Sequence, residues 1–218
     1  MPLTQRLVAI VGLSVAFVAM TMAIAGGAFN TLDHDVALAM RDIWQERLHQ
    51  LFQLIAELGG MEATTVLMLF LFIYLWRGGY GADALVVVAF FGAIALEVLY
   101  KTLLFHPGPP HSLSHSDGPS LTNFIESTSI RNSFPSGHMV RTVVAYGLLA
   151  FVIRRLSPSR TIRALAIAVA VGIIVIEAFD RIYLDVHWES DVIGGLLLGG
   201  IALLAATVWL DRPRKAQN

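Results

Sequence analysis

Six runs of apolar residues, at 7–29, 61–76, 82–105, 136–153, 161–179 and 192–210, divide the chain, with polar breaks between them. An α-helix needs roughly 20 apolar residues to cross the hydrocarbon core of a bilayer. The runs 61–76 and 136–153 are short for that and are expected to borrow flanking residues or to lie against neighbours. Gly and Ala recur inside the runs, as in GGLLLGGIALLAA from Gly194 to Ala206, and small residues let membrane helices approach closely. The pattern predicts an all-α fold, a polytopic six-span transmembrane helical bundle forming one domain over residues 1–218. The run 7–29 has a longer apolar core than a secretory signal and only a loose small-residue cleavage site at 23–27, so it is expected to stay as the first span.

Two connecting segments stand out. Between the first and second runs, residues 31–58 place Val36, Met40, Ile43, Trp44, Leu48, Leu51, Phe52 and Ile55 at helical spacing. Asp35, Arg41, Asp42, Glu46 and Arg47 interrupt them. That alternation predicts one or two interfacial amphipathic helices; a surface segment packed on the bundle gives the same pattern, and no chemistry is assigned to it. Residues 106–135 are rich in Pro, Ser, Gly and His without helical periodicity. Loops of that length are usually functional or disordered, and this one leads into the fourth run.

Composition agrees with a lipid solvent. Of 218 residues, 56% are hydrophobic and 14% charged, against about 25% charged in soluble domains, and mean hydropathy is +0.68. There is no cysteine, so no disulfide is available. The net charge of −1 is uninformative, but its distribution is not. With six spans, one side receives Arg6, Arg77, Arg154, Arg155, Arg160, Arg163, Arg212, Arg214 and Lys215. The other receives Arg41, Arg47, Lys101, Arg131 and Arg181, with Arg141 just inside the fourth span. Cytoplasmic loops are enriched in Lys and Arg, so both termini are expected in the cytoplasm of a plasma (inner) membrane protein.

Three polar clusters then meet at the extracytoplasmic face: Lys101 at the end of span three, Ser136–Gly137–His138 opening span four, and Arg181, His187 and Asp191 between spans five and six. Asp191 follows His187 by four residues, so on a helix the two share a face. A carboxylate there holds one imidazole N–H, fixes the tautomer and raises the basicity of the other nitrogen. Ser136 and Gly137 at a helix start leave outward-pointing amides, a site for an anion. Lys101, Arg181 and Arg141 add positive charge. A cationic, amide-lined pocket with two histidines suits phosphoryl transfer. Alone, each cluster has a plainer reading, Ser136 as a helix cap or a chance His–Asp spacing. Their coincidence at one face is what points to a site, because ionisable groups near the membrane are costly unless paired or functional.

These residues resemble the type-2 phosphatidic acid phosphatase superfamily of integral membrane lipid phosphatases. Its motifs are Lys, six residues, Arg-Pro; then PSGH; then Ser-Arg, five residues, His, three residues, Asp. PSGH is intact, and the third motif appears as DRIYLDVHWESD from Asp180 to Asp191. The resemblance implies that His187 is the nucleophile forming a phosphohistidine, oriented by Asp191, and that His138 is the general acid. It implies that Lys101, Ser136, Gly137 and Arg181 bind the phosphate, without cofactor or metal. The implied activity is hydrolysis of a lipid phosphate or pyrophosphate, such as undecaprenyl pyrophosphate, phosphatidylglycerol phosphate or phosphatidate. The partners are then the bilayer and its lipid, not nucleic acid. A phosphoryl or headgroup transferase, and a degenerate lipid-binding member of the family, are the rivals.

Two positions depart from the motifs: Gly108 replaces the Arg of the first, and Asp180 the Ser of the third. Arg141, three residues after His138, is expected to supply the lost guanidinium or to pair with Asp180; Arg131 is a weaker substitute. Glu97 and Glu177 each precede a site cation by four residues and are placed to brace it. His106, His111 and His115 lie among Pro and Gly where no helix aligns them, and no metal site is expected there. With His187 neutral and His138 protonated, the pH profile is expected to be bell-shaped.

Overall fold

The computed structural model describes residues 2–109 and 132–212. Among them the chain folds into helices: α1 (Leu3–Ala25), α2 (Asn30–Asp42), α3 (Glu46–Gly59), α4 (Met61–Arg77), α5 (Gly81–Ala84), α6 (Val87–Leu103), α7 (Gly137–Leu156), α8 (Arg160–Tyr183) and α9 (Glu189–Leu210). Each of the six apolar runs contributes one long helix, as the pattern predicts.

Among the described residues, five stretches are long and apolar enough to cross a membrane: Leu3–Ala25, Glu46–Arg77, Gly81–Leu103, Arg160–Tyr183 and Glu189–Leu210. The short second run is extended by α3, which leads into α4 with Gly60 alone between them. The segment expected in the interface is therefore helical, but its second half continues an apolar stretch of 32 residues rather than standing apart from the spans. α7 is not among them; Arg141, Arg154 and Arg155 dilute its apolar character.

That dilution has a structural reason. α7 packs against α3, α4, α6, α8 and α9 and is screened from lipid by them. Met139, Val140, Val144, Ala145 and Leu148 are fully buried along it. The outer helices show the opposite pattern: Val8, Val11, Val15 and Val18 of α1, and Leu165, Val169 and Val175 of α8, are exposed. In water such surfaces would drive association; in hydrocarbon they cost nothing.

The α7–α9 contact is made by small residues. A Cβ at Gly195 would lie 2.6 Å from both Met139 Cβ and the Ser136 carbonyl oxygen, and one at Gly199 2.8 Å from Val143 Cβ. At Gly194 it would run into the Phe134 ring. The opposite end of the bundle is tied by charge. Arg6 pairs with Asp211 (2.5 Å) and donates to the Thr207 carbonyl (2.9 Å), and Arg155 and Arg212 both reach Asp83 (3.2 and 3.1 Å). Several cations counted toward the cytoplasmic side are thus gathered at the end remote from Lys101, Ser136 and Arg181.

Gly195→Ala is expected to destabilise the bundle by about 1–3 kcal/mol through overpacking, read as a lower thermal midpoint in detergent. An unchanged midpoint would mean that the helices have room to separate.

Candidate active site

The end that holds Lys101, Ser136 and Arg181 brings together pieces of four elements. Lys101 lies in the last turn of α6, and Ser136 precedes α7, which Gly137 and His138 open. Asp180 and Arg181 close α8, and Asp191 sits in the first turn of α9 just after His187. Lys101, Ser136, His138, Arg141, Arg181, His187 and Asp191 are each less than one tenth exposed, and Gly137 is buried with them. Two motifs touch directly, for the Ser136 amide donates to the Asp191 carbonyl (3.0 Å).

Asp191 organises the side that carries His187. One carboxylate oxygen, Oδ2, accepts from the Trp188 amide (2.9 Å) and faces His187 Nδ1 (3.3 Å). An acidic residue three positions into a helix, bonded back to the capping amide, is half of a capping box and is favoured by the helix dipole. The same carboxylate therefore starts the helix and orients the imidazole. With Nδ1–H turned to Asp191, the lone pair of His187 is on Nε2. The other oxygen, Oδ1, lies 3.4 Å from His106 Nε2. That contact was not legible in the sequence, where His106 stood among prolines. His106 is anchored by its backbone, its amide donating to Asn132 Oδ1 (3.0 Å) and its carbonyl accepting from the Ser133 amide (2.8 Å). Asn132 in turn donates to the Lys101 carbonyl (2.7 Å), closing the end of α6.

On the other side, His138 is within electrostatic range of Arg181, Arg141, His187 and Lys101. The amides of Gly137, His138 and Met139 precede the first backbone bond of α7, from Val140 to Ser136 (3.1 Å), and so have no intrahelical acceptor. Ser136 Oγ is buried without a hydrogen-bond partner among the described residues. A Cβ at Gly137 would land on the Glu97 carboxylate and 2.8 Å from Arg141 Nη1, which is why only glycine fits there.

The cations arrive with carboxylates. Lys101 Nζ lies 3.1 Å from Glu97 Oε1 and Arg181 Nε 3.9 Å from Glu177 Oε2, both pairs four residues apart as the sequence suggested. Arg181 Nε also donates to Asp180 Oδ2 (2.8 Å). Asp180 is therefore held by its neighbour, and the expected Arg141–Asp180 pair does not form among the described residues. Arg141 turns instead toward Glu97 Oε2 (3.5 Å), the Gly59 carbonyl (3.2 Å from Nε) and His138 Nδ1 (3.2 Å from Nη2). The Gly59 amide donates to Glu177 Oε1 (2.9 Å). The backbone of one residue at the end of α3 thus sits between the charged groups of α7 and α8. A Cβ on Gly59 would come within 2.6 Å of Thr142 Oγ1. At Gly108, where the motif Arg is missing, the nearest atom to a Cβ would be Ser133 Cβ at 3.4 Å.

α2, to which the sequence assigned no chemistry, braces the turn that carries His187. Asp33 accepts from the Ser190 amide (2.9 Å) and hydroxyl (2.8 Å), capping α9 from another helix. Burial pushes the Asp33 carboxyl up from its ordinary value, and the two Ser190 bonds pull it back. Arg41 pairs with Asp185 (2.7 Å), a residue held at φ 54°, where Asp is among the few side chains tolerated. The Gln45 amide donates to the Tyr183 hydroxyl (2.8 Å). These partners are more than 130 residues apart, so no local pattern announces them. His111, His115 and Arg131 lie outside the described residues, as does most of the loop 106–135.

Comparison with known proteins follows the same lines. Residues 80–215 match the family described as the PAP2 superfamily. The chain is 31% identical over 141 residues to YbjG of Escherichia coli (strain K12), provisionally named an undecaprenyl-diphosphatase; the match covers 62% of this chain and 63% of that one. It is 34% identical over 68 residues to phosphatidylglycerophosphatase B of Bacillus subtilis (strain 168), covering 31% and 34%. The chain thus spans less than two thirds of either curated relative. The crystal structure of a transmembrane PAP2-type phosphatidylglycerolphosphate phosphatase from Bacillus subtilis superposes with a TM-score of 0.81 over 95% of this chain and 98% of that one, at 22% identity. At that identity the likeness concerns the fold.

Asp33→Ala leaves the Ser190 amide and hydroxyl buried without acceptors, a cost of about 1–3 kcal/mol. Faster amide hydrogen exchange across 188–192, with α1 unaffected, is the expected signature. Unchanged exchange there would show that the cap from α2 is dispensable.

Proposed function

The chain belongs to the PAP2 superfamily, and we propose that it is a membrane lipid phosphatase working through a phosphohistidine. The observation that carries this reading is the bond from the Ser136 amide to the Asp191 carbonyl. It places the cluster around His138 and the cluster around His187 on one small volume, with Lys101 and Arg181 beside it.

In the reaction, the phosphoryl group lies between the two imidazoles. Lys101, Arg181, Ser136 Oγ and the amides at the start of α7 hold its oxygens; stabilisation of that charge is the largest contribution such a site makes. His187 attacks phosphorus from Nε2 while Asp191 retains its Nδ1–H, and His138 addresses the leaving oxygen from the other side. Water then attacks the phosphohistidine and releases inorganic phosphate. Arg141, expected from the sequence among the phosphate ligands, serves from behind His138, its donors directed to Glu97, Gly59 and the ring. Neutralisation of the phosphate falls to Lys101, Arg181 and backbone amides, so the activity requires no metal.

The same reading fixes an orientation. Arg6, Arg155 and Arg212 gather at the end remote from the site, and the excess of Lys and Arg assigns that end to the cytoplasm. The site then opens on the extracytoplasmic leaflet, at headgroup level, where an anchored lipid presents its phosphate sideways.

Phosphate release from a panel of purified lipid phosphates and diphosphates in detergent tests the chemistry. His187→Ala is expected to lower it by about 10³-fold or more, and a chelator to leave the wild-type rate unchanged. Full release by the variant, or loss of activity on chelation, would end this reading. Because the chain has no cysteine, orientation is checked separately with single-cysteine variants in intact cells. Phe105→Cys should react with an impermeant maleimide and Ser157→Cys should not; the reverse result would turn the protein over.

A further inference from the structure

Arg141 is the group whose place in the site the PAP2 motifs leave unexplained. It is buried one turn below His138 on α7, and its Nη2 lies 3.2 Å from His138 Nδ1. A guanidinium has donors and no acceptor, and it does not give up its proton in a protein. The contact is therefore a hydrogen bond only if Nδ1 presents its lone pair. The proton of the neutral ring is then on Nε2. Among the described residues, the groups that act most strongly on His138 discourage a second proton: Arg181 from α8, Arg141 from its own helix, His187 ahead of α9 and Lys101 from α6. The carboxylates nearby are engaged elsewhere, Glu97 with Lys101 and Arg141, Glu177 and Asp180 with Arg181.

We propose that Arg141 is a positioning residue that holds His138 as the neutral Nε2–H tautomer and so makes the site selective for lipid diphosphates over lipid phosphate monoesters. This rests on the phosphatase reading above and deepens it. A neutral imidazole offers a hydrogen bond from Nε2 but is a poor proton donor. When His187 Nε2 bonds to the terminal phosphorus of a diphosphate, the electron pair of the breaking P–O bond passes to the bridging oxygen. The leaving group is a lipid phosphate, already a stable dianion, and no proton need be transferred. The products are a phosphohistidine and a lipid monophosphate, with charge conserved. Water then bonds to phosphorus, the P–N pair returns to Nε2, and both water protons leave on dihydrogen phosphate. With a monoester, the same first step must expel an alkoxide, which requires proton transfer from an acid stronger than the neutral Nε2–H. General-acid catalysis is worth about 10²–10⁴-fold, and that factor is what separates the two substrates.

The test compares farnesyl diphosphate with farnesyl monophosphate in one detergent, so that only the leaving group differs. The wild-type chain is expected to release one phosphate per diphosphate and stop, with kcat on the monoester lower by about 100-fold or more. Its rate on the diphosphate should rise to a plateau across the histidine range, replacing the bell expected from two titrating histidines. Arg141→Gln puts an amide oxygen where it accepts from Nδ1–H, so the imidazolium forms. The kcat ratio should then narrow about tenfold or more, with a falling alkaline limb appearing on the monoester. A measurement on the unaltered protein does not depend on how that variant folds: ¹⁵N shifts of the histidines should give His138 a bare Nδ1 and a protonated Nε2. Equal rates on both substrates, two phosphates released per diphosphate, or a protonated Nδ1 would overturn the proposal while leaving the phosphatase reading intact. No release from either substrate would remove both.

Discussion

One buried carboxylate fixes the geometry on which the rest of the site is arranged. Asp191 has no exposed surface, and a carboxylate in such a place is tolerated only when it is paired or hydrogen-bonded. The Trp188 amide and His187 face one oxygen, and His106 Nε2 lies 3.4 Å from the other. Its backbone carbonyl holds the Ser136 amide. The start of α9, the His187 ring, the end of the loop from α6 and the mouth of α7 are all referred to this one residue. Its position in the first turn of α9 lets the helix dipole help to hold the charge.

The cup around it is less positive than its roster of cations suggests. Lys101, Arg141 and Arg181 are set against Glu97, Glu177 and Asp180, three basic side chains against three carboxyl groups. Pairing of this kind is how ionisable groups survive beside hydrocarbon. It also means that an arriving phosphate competes with resident carboxylates for its cations, rather than dropping into an unbalanced field. The Gly59 backbone completes the arrangement, with its carbonyl toward Arg141 and its amide toward Glu177. That bridge works because a residue without a side chain brings its backbone between two helices.

The legible part of this architecture is its periodic part. Apolar runs of helical length give the long helices, and spacings of four residues along one helix give His187–Asp191, Glu97–Lys101 and Glu177–Arg181. α7 shows the limit of hydropathy: of the long helices formed by the six apolar runs it is the most enclosed and the least apolar, because enclosure by other helices lets it carry Arg141. Contacts that cross the fold left no trace along the chain. His106 reaches Asp191 and Asp33 reaches Ser190 from distant positions, and neither residue belongs to a pattern until the helices are assembled. Arg141 was noticed for being an arginine in an apolar turn; its partners were set by where the α3–α4 bend falls.

The stretch that matches the PAP2 family begins at residue 80. Every motif residue lies within it, yet Asp33, Arg41, Gln45 and Gly59, which hold the motif-bearing helices from outside, all come before it. Reagents and mounting are therefore written in different parts of the chain. Two relatives sharing every reacting group can differ in how stiffly those groups are clamped, and a chimaera joined near residue 80 would exchange one property without touching the other.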